Sequence, residues 1–140
     1  MSGRYFLDSN ILIYSFDDKY PSKAQRASEL IRQAVATNEG VISYQVVQEF
    51  FNFALRRAAY PMTTREAEEY LDRVLRRLLS IYSSPALYVE ALHLHGRYRL
   101  SWYDSLIVAA AMQANCDILY SEDLQDGQRF GKMQVKNPFI

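Results

Sequence analysis

Apolar residues fall along this chain in two rhythms, short unbroken runs and longer stripes spaced three or four apart, and the two alternate. The first run, Tyr5-Phe6-Leu7, is followed at once by Asp8-Ser9-Asn10 and a second apolar stretch, Ile11-Leu12-Ile13-Tyr14. Residues 4–8 are expected as a short strand and residues 10–16 as a helical segment. After a polar loop over 17–21, Ser22 is expected to cap a helix reaching Thr37, whose stripe is Ala24, Ala27, Leu30, Ile31, Ala34 and Val35. Gly40 ends that region, and Val41-Ile42-Ser43 reads as a second strand. From Tyr44 to about Arg57 the pattern is a helix, apolar on most sides.

Thr63-Thr64-Arg65-Glu66 has the spacing of a capping box and opens a long amphipathic helix to about Leu79. Ile81-Tyr82-Ser83 is expected as a third short strand. Ser84-Pro85 pairs an N-cap with proline at the first helical position, starting a helix that stops near Gly96. Residues 101–114 give a further helix, apolar nearly all round and therefore central. Asp117-Ile118-Leu119-Tyr120 is a fourth strand, and residues 133–136 are a candidate fifth. Strands alternating with helices predict a single α/β domain over 1–140, its largely parallel central sheet of four to five short strands flanked by helices.

Composition narrows the picture. A hydrophobic fraction of 49% in 140 residues suits one packed globule. No apolar run approaches the roughly 18 residues that span a bilayer, so no membrane association is expected. One cysteine, Cys116, cannot form an internal disulfide, which fits a reducing cytoplasm. Sixteen basic and sixteen acidic residues cancel, which argues against binding nucleic acid through a general positive field. Twelve of the basic residues are arginine, grouped at Arg56-Arg57, at Arg73, Arg76 and Arg77, and at Arg97 and Arg99. Each group reads either as a solvated helix face or as a phosphate contact suited to the guanidinium fork.

Four acids stand in apolar company. Asp8 ends the first strand, where it serves equally well as an N-cap. Glu49 has Val46, Phe50 and Phe53 as helical neighbours, so it lies on or at the edge of an apolar face. Asp104 opens the central helix and has capping-box spacing with Ser101. Asp123 follows the fourth strand in what is also an ordinary polar turn, and Glu122 and Asp126 are close enough to replace it. Carboxylates gathered together repel and hold protons at raised pKa, and a hard divalent cation relieves that repulsion.

The motifs Phe6-Leu7-Asp8-Ser9-Asn10, Ser43-Tyr44-Gln45-Val46-Val47-Gln48-Glu49-Phe50, Ser101-Trp102-Tyr103-Asp104-Ser105-Leu106-Ile107 and Leu119-Tyr120-Ser121-Glu122-Asp123-Leu124-Gln125-Asp126-Gly127, then Asn137-Pro138-Phe139, span nearly the whole chain. In that order the chain resembles the PIN-domain family, and within it the VapC-type toxins of bacterial toxin–antitoxin pairs. The resemblance implies a metal-dependent endoribonuclease with Asp8, Glu49, Asp104 and Asp123 as catalytic metal ligands. It implies Mg²⁺ or Mn²⁺ as cofactor, RNA as substrate, and products carrying a 5′-phosphate and a 3′-hydroxyl. Asn10 matches a supporting polar position, and Ser121 stands where many members have threonine, either hydroxyl being able to orient a carboxylate or water. Ser105 replaces a frequent alanine without touching a ligand. A homodimer and a cognate antitoxin covering the site are implied as partners.

Two other classes compete on the residues. A haloacid-dehalogenase-type phosphatase also places an aspartate after the first strand. It requires a second acid two residues later, where this chain has Asn10, and a downstream lysine, whereas no lysine lies between Lys23 and Lys132. A non-catalytic PIN-like binding module is disfavoured by the four intact acids. His93 and His95 stand two apart near a helix end, point in different directions, and read as structural.

Overall fold

Tyr5, Phe6 and Leu7 are all buried and form β1 (Tyr5–Leu7), as expected of an apolar run covered on both faces. The structure is a computed structural model that describes residues 3–140. After β1 come α1 (Ser9–Tyr14), α2 (Pro21–Thr37), β2 (Gly40–Ser43) and α3 (Tyr44–Asn52), which ends in a π-helical turn over Phe53–Arg57. Then follow α4 (Thr64–Tyr70), a second π-helical turn over Leu71–Leu75, α5 (Arg76–Leu78) and β3 (Leu79–Ile81). The chain ends with α6 (Pro85–Tyr98), α7 (Trp102–Gln113), β4 (Ile118–Tyr120), β5 (Arg129–Phe130) and β6 (Met133–Lys136).

The six strands lie in the order β3-β2-β1-β4-β6-β5. All neighbours are parallel except β5 and β6, which pair antiparallel. β1 is central, with Phe6 opposite Val41 on one side and Leu119 on the other. The chain winds outward from β1 through β2 to β3, then returns to place β4 on the opposite side. That reversal is the sheet's switch point, and open α/β sheets hold their sites there, at the carboxyl ends of the strands, here β1 and β4.

Local signals were obeyed where they were strong. Thr63 and Glu66 form the reciprocal capping box. Ser84 caps α6 with Pro85 behind it, and Ser101 caps α7, of which Ser105 to Ala111 are all buried. No helix among the described residues is long and apolar enough to cross a membrane.

Other boundaries moved. Ser22 is not the cap of α2; the helix begins at Pro21 after Tyr20, with no side-chain cap. Asn38, in the left-handed conformation at φ 59°, ends α2, and Gly40 belongs to β2. The third strand lies two residues earlier than expected, since Leu79 and Ile81 face inward while Tyr82 is 63% exposed. α6 continues past Gly96 to Tyr98 and is closed by Arg99 at φ 58°. The sheet has six strands because β5, only two residues long, pairs back onto β6.

Candidate active site

Asp8 caps α1 and is 4% exposed. Its Oδ1 accepts the Ser9 amide at 2.7 Å, satisfying the first free N–H of the helix. Its Oδ2 accepts the Ser121 hydroxyl at 2.8 Å, from a residue 113 positions away that directly follows β4. Ser121 is fully buried, and its Oγ accepts the amides of Asp123 at 3.2 Å and Leu124 at 3.4 Å. A hydroxyl has one donor and two acceptor sites, so Ser121 is fully used. One side chain therefore fixes the Asp8 carboxylate and shapes the turn that carries Asp123.

Burial pushes the Asp8 carboxyl up to about 7. The bonds from Ser121 and the Ser9 amide pull it down, and the charges of Asp123 and Glu49 push it further up. Asp104, half-buried in the first turn of α7, is also raised, by burial first; Ser101 opposes the rise and Asp123 adds to it. Asp123 acts on both Asp8 and Asp104, and Glu49 acts on Asp8, so the four acids share one electrostatic patch. Ser101 Oγ accepts the Asp104 amide at 3.1 Å, which sets the carboxylate in the first turn of the helix.

Glu49 is half-buried on α3. Gln45 Nε2 donates to its Oε2 at 3.4 Å and to the Tyr103 carbonyl at 3.2 Å, joining α3 to the start of α7. The Gln45 Oε1, the Asn10 Oδ1 and the Ser43 hydroxyl are buried without a hydrogen-bond partner among the described residues. Asn10 thus brings an unsatisfied carbonyl oxygen two residues from Asp8.

The family model of the PIN domain matches residues 5–129. The chain belongs to the PIN-domain family. Three solved structures share this PIN fold over most of its length. A toxin–antitoxin complex from Klebsiella pneumoniae aligns with TM-score 0.67 at 18% identity, over 96% of this chain and 97% of that one. VapBC2 from Rickettsia felis, bound to a DNA fragment from its promoter, gives 0.64 at 19%, over 95% and 97%. VapC20 from Mycobacterium tuberculosis, a sarcin–ricin-loop-cleaving toxin, gives 0.56 at 16%, over 85% and 89%. At these identities the likeness is one of fold. No curated protein matches the sequence.

Within this PIN domain the rival acids after β4 are otherwise engaged. Burial alone would raise the Glu122 carboxyl, but hydrogen bonds from Lys23 and Tyr14 outweigh it and lower its pKa. Asp126 Oδ1 accepts the Asn137 amide at 2.8 Å. Asp123 is left as the acid of that turn whose charge acts on Asp8 and Asp104. Sequence reasoning missed Gln45, although its position four residues before Glu49 on a helix was a usable signal. It also missed Lys23 and Tyr14, which no local pattern connects to residue 122.

The donor set suits a hard divalent cation, being carboxylate and amide oxygen throughout. It offers none of the thiolate or imidazole ligands zinc prefers: no Cys or His is among the four acids and their supports, and Cys116 is buried with its thiol pushed up to about 12 by burial. Among the described residues no three His, Cys, Asp or Glu side chains are drawn together into a ready metal cage. A magnesium-type site needs only one or two carboxylates, with water and substrate oxygens completing the shell.

Proposed function

We propose that this PIN domain is a metal-dependent endoribonuclease that hydrolyses RNA phosphodiester bonds, and that it is the toxin of a toxin–antitoxin pair. The observation carrying this reading is Asp8, a buried carboxyl raised to about 7 at the end of the central strand, influenced by Asp123 and Glu49. A residue needed only to cap a helix requires one hydrogen-bonded oxygen; here the second is held by Ser121. A strongly perturbed carboxyl at a sheet's switch point is a feature of catalytic sites.

Asp8, Glu49, Asp104 and Asp123 would hold Mg²⁺ or Mn²⁺, supported by Asn10 and Ser121. When bound, the cation supplies activation of water and stabilisation of charge on the leaving oxygen. The chain's own part is positional. Ser121 orients Asp8 and aims the following turn, Gln45 steadies Glu49 against α7, and the Ser101 cap sets Asp104 in the first helical turn.

The toxin reading is supported by the fold shared with toxin–antitoxin proteins. A cognate antitoxin is the proposed partner, and the apolar groove lined by Phe16, Ile31, Val35, Tyr70 and Val74 suits an amphipathic helix. A homodimer is proposed with it, for which exposed Tyr88, Val89 and Leu92 on α6 offer apolar surface. The cytoplasm is its proposed place of action.

The test compares the protein with Asp8→Asn on total RNA, with Mg²⁺ or Mn²⁺ and with chelator. Discrete metal-dependent cuts by the parent protein alone are expected. Equal cleavage by both proteins, or cleavage that survives chelation, overturns the proposal.

A further inference from the structure

Lys23 stands in the first turn of α2, ninety-nine positions from Glu122, yet its Nζ lies 2.6 Å from Glu122 Oε2. Tyr14, at the end of α1, donates its hydroxyl to the other oxygen, Oε1. The ammonium also lies 3.4 Å from the Tyr14 hydroxyl oxygen. Three rings surround it, with centroids at 4.8 Å for Tyr14, 5.1 Å for Tyr20 and 5.7 Å for Phe139. The rings brace one another edge-on, Tyr14 against both Tyr20 and Phe139. An exposed ion pair usually contributes little, because water competes for both partners. Here both carboxylate oxygens are bonded and aromatic faces replace part of the ammonium's solvent.

The place of Glu122 gives this pair its meaning. Ser121 holds Asp8, Glu122 is tied to α1 and α2, and Asp123 carries the outermost acid of the patch. Residues 121 and 122 thus have separate anchors, and Asp123, whose amide is bonded to Ser121 Oγ, cannot move away without straining them. The same contacts commit the Lys23 ammonium to Glu122, so that it does not neutralise the acids that would receive a cation.

We propose that Lys23, with Tyr14, is a positioning residue that clamps Glu122 and thereby holds Asp123 and Ser121 in register with Asp8. The role assigned to Asp123 rests on the nuclease reading above. The clamp is tested through metal binding and backbone order as well as through cleavage.

The experiment measures Mn²⁺ affinity by calorimetry, amide hydrogen exchange at Asp123 and Leu124, kcat and KM on an RNA oligonucleotide, and Tm. The variants are Lys23→Met, Glu122→Gln, Tyr14→Phe and the conservative Lys23→Arg. Tyr14→Phe keeps the ring and removes only the hydroxyl, so it reports even where a larger change unfolds the protein. Lys23→Met and Glu122→Gln are expected to weaken Mn²⁺ binding about 10-fold, the usual scale for groups that orient metal ligands. Exchange at the two amides should quicken, kcat should fall with KM unchanged, and Lys23→Arg should restore Mn²⁺ affinity. Unchanged Mn²⁺ affinity and unchanged exchange, even with a lower Tm, would reduce the pair to a structural contact and overturn the proposal. A parent protein that binds Mn²⁺ but cuts no RNA removes the nuclease reading, while the affinity loss in the variants still supports the clamp.

Discussion

A buried carboxyl with a pKa near 7 couples folding, protonation and cation binding at a single position. In the unfolded chain Asp8 loses its proton near pH 4; in the folded protein it keeps it to about 7. Between those values the folded state binds the extra proton, so this residue's contribution to stability is greatest below pH 4 and is lost as pH rises to about 7. A tenfold change in proton affinity is worth about 1.4 kcal/mol, so the charged carboxyl opposes folding by on the order of a few kcal/mol. In chelator, the parent protein should lose stability between pH 5 and pH 8 relative to Asp8→Asn, and the variant should have the higher Tm at pH 8. Unfolding curves at the two pH values check this, and a parent that gains on the variant as pH rises would contradict it. The raised Asp104 works in the same direction and the lowered Glu122 in the opposite one, so the difference between parent and variant isolates Asp8. A cation requires the ionised form, so Mn²⁺ affinity should rise between pH 6 and pH 8.

Among the elements, the crossing of α2 over β2 depends on one missing atom. A Cβ on Gly40 would overlap the Ala34 Cβ on the underside of α2. Gly40→Ala is therefore expected to cost about 1–3 kcal/mol, as overpacking does. If Gly40 were needed only for loose backbone geometry, alanine would instead stabilise by roughly 0.4–1 kcal/mol through the unfolded state. Denaturant unfolding separates the two by sign. α7 shows the opposite strategy, a helix buried so completely that it acts as a fixed floor, with only its first turn reaching the acids. That placement lets Asp104 serve the helix end and the site at once, since a carboxylate at a helix N-terminus is favoured by the dipole.

Across the whole molecule, the site is assembled from pieces far apart in sequence, and Gln45 is one of its joints. It reaches Glu49 on its own helix and the Tyr103 carbonyl on another, 58 residues away. Gln45→Leu keeps the bulk and removes both bonds, and is expected to lower Mn²⁺ affinity about 10-fold. Calorimetry checks the affinity and circular dichroism the fold; unchanged binding would mean that Glu49 needs no such support.

The strands β1 and β4, the capped helices α4, α6 and α7, and the candidate status of four acids in apolar company were legible because their signals lie within a few residues. Thr63 and Glu66, Ser84 and Pro85, or Leu7 and Asp8 are read side by side. The strand order, the two-residue β5 and the shift of β3 to Leu79–Ile81 were not, since each depends on which backbone lies alongside. The turn after β4 makes the same point. Local pattern does not rank the acids at 122, 123 and 126; the motif resemblance favours Asp123, and packing gives the other two their partners. Lys23 and Tyr14 take Glu122, the Asn137 amide takes Asp126, and Asp123 is left facing the patch. The kinds of element and the acids available were written in the order of residues, because periodicity and caps act over one or two turns. Which side chains hold Asp8 and Glu122 was decided only by the folded chain, because hydrogen bonds spanning about a hundred residues leave no local pattern to read.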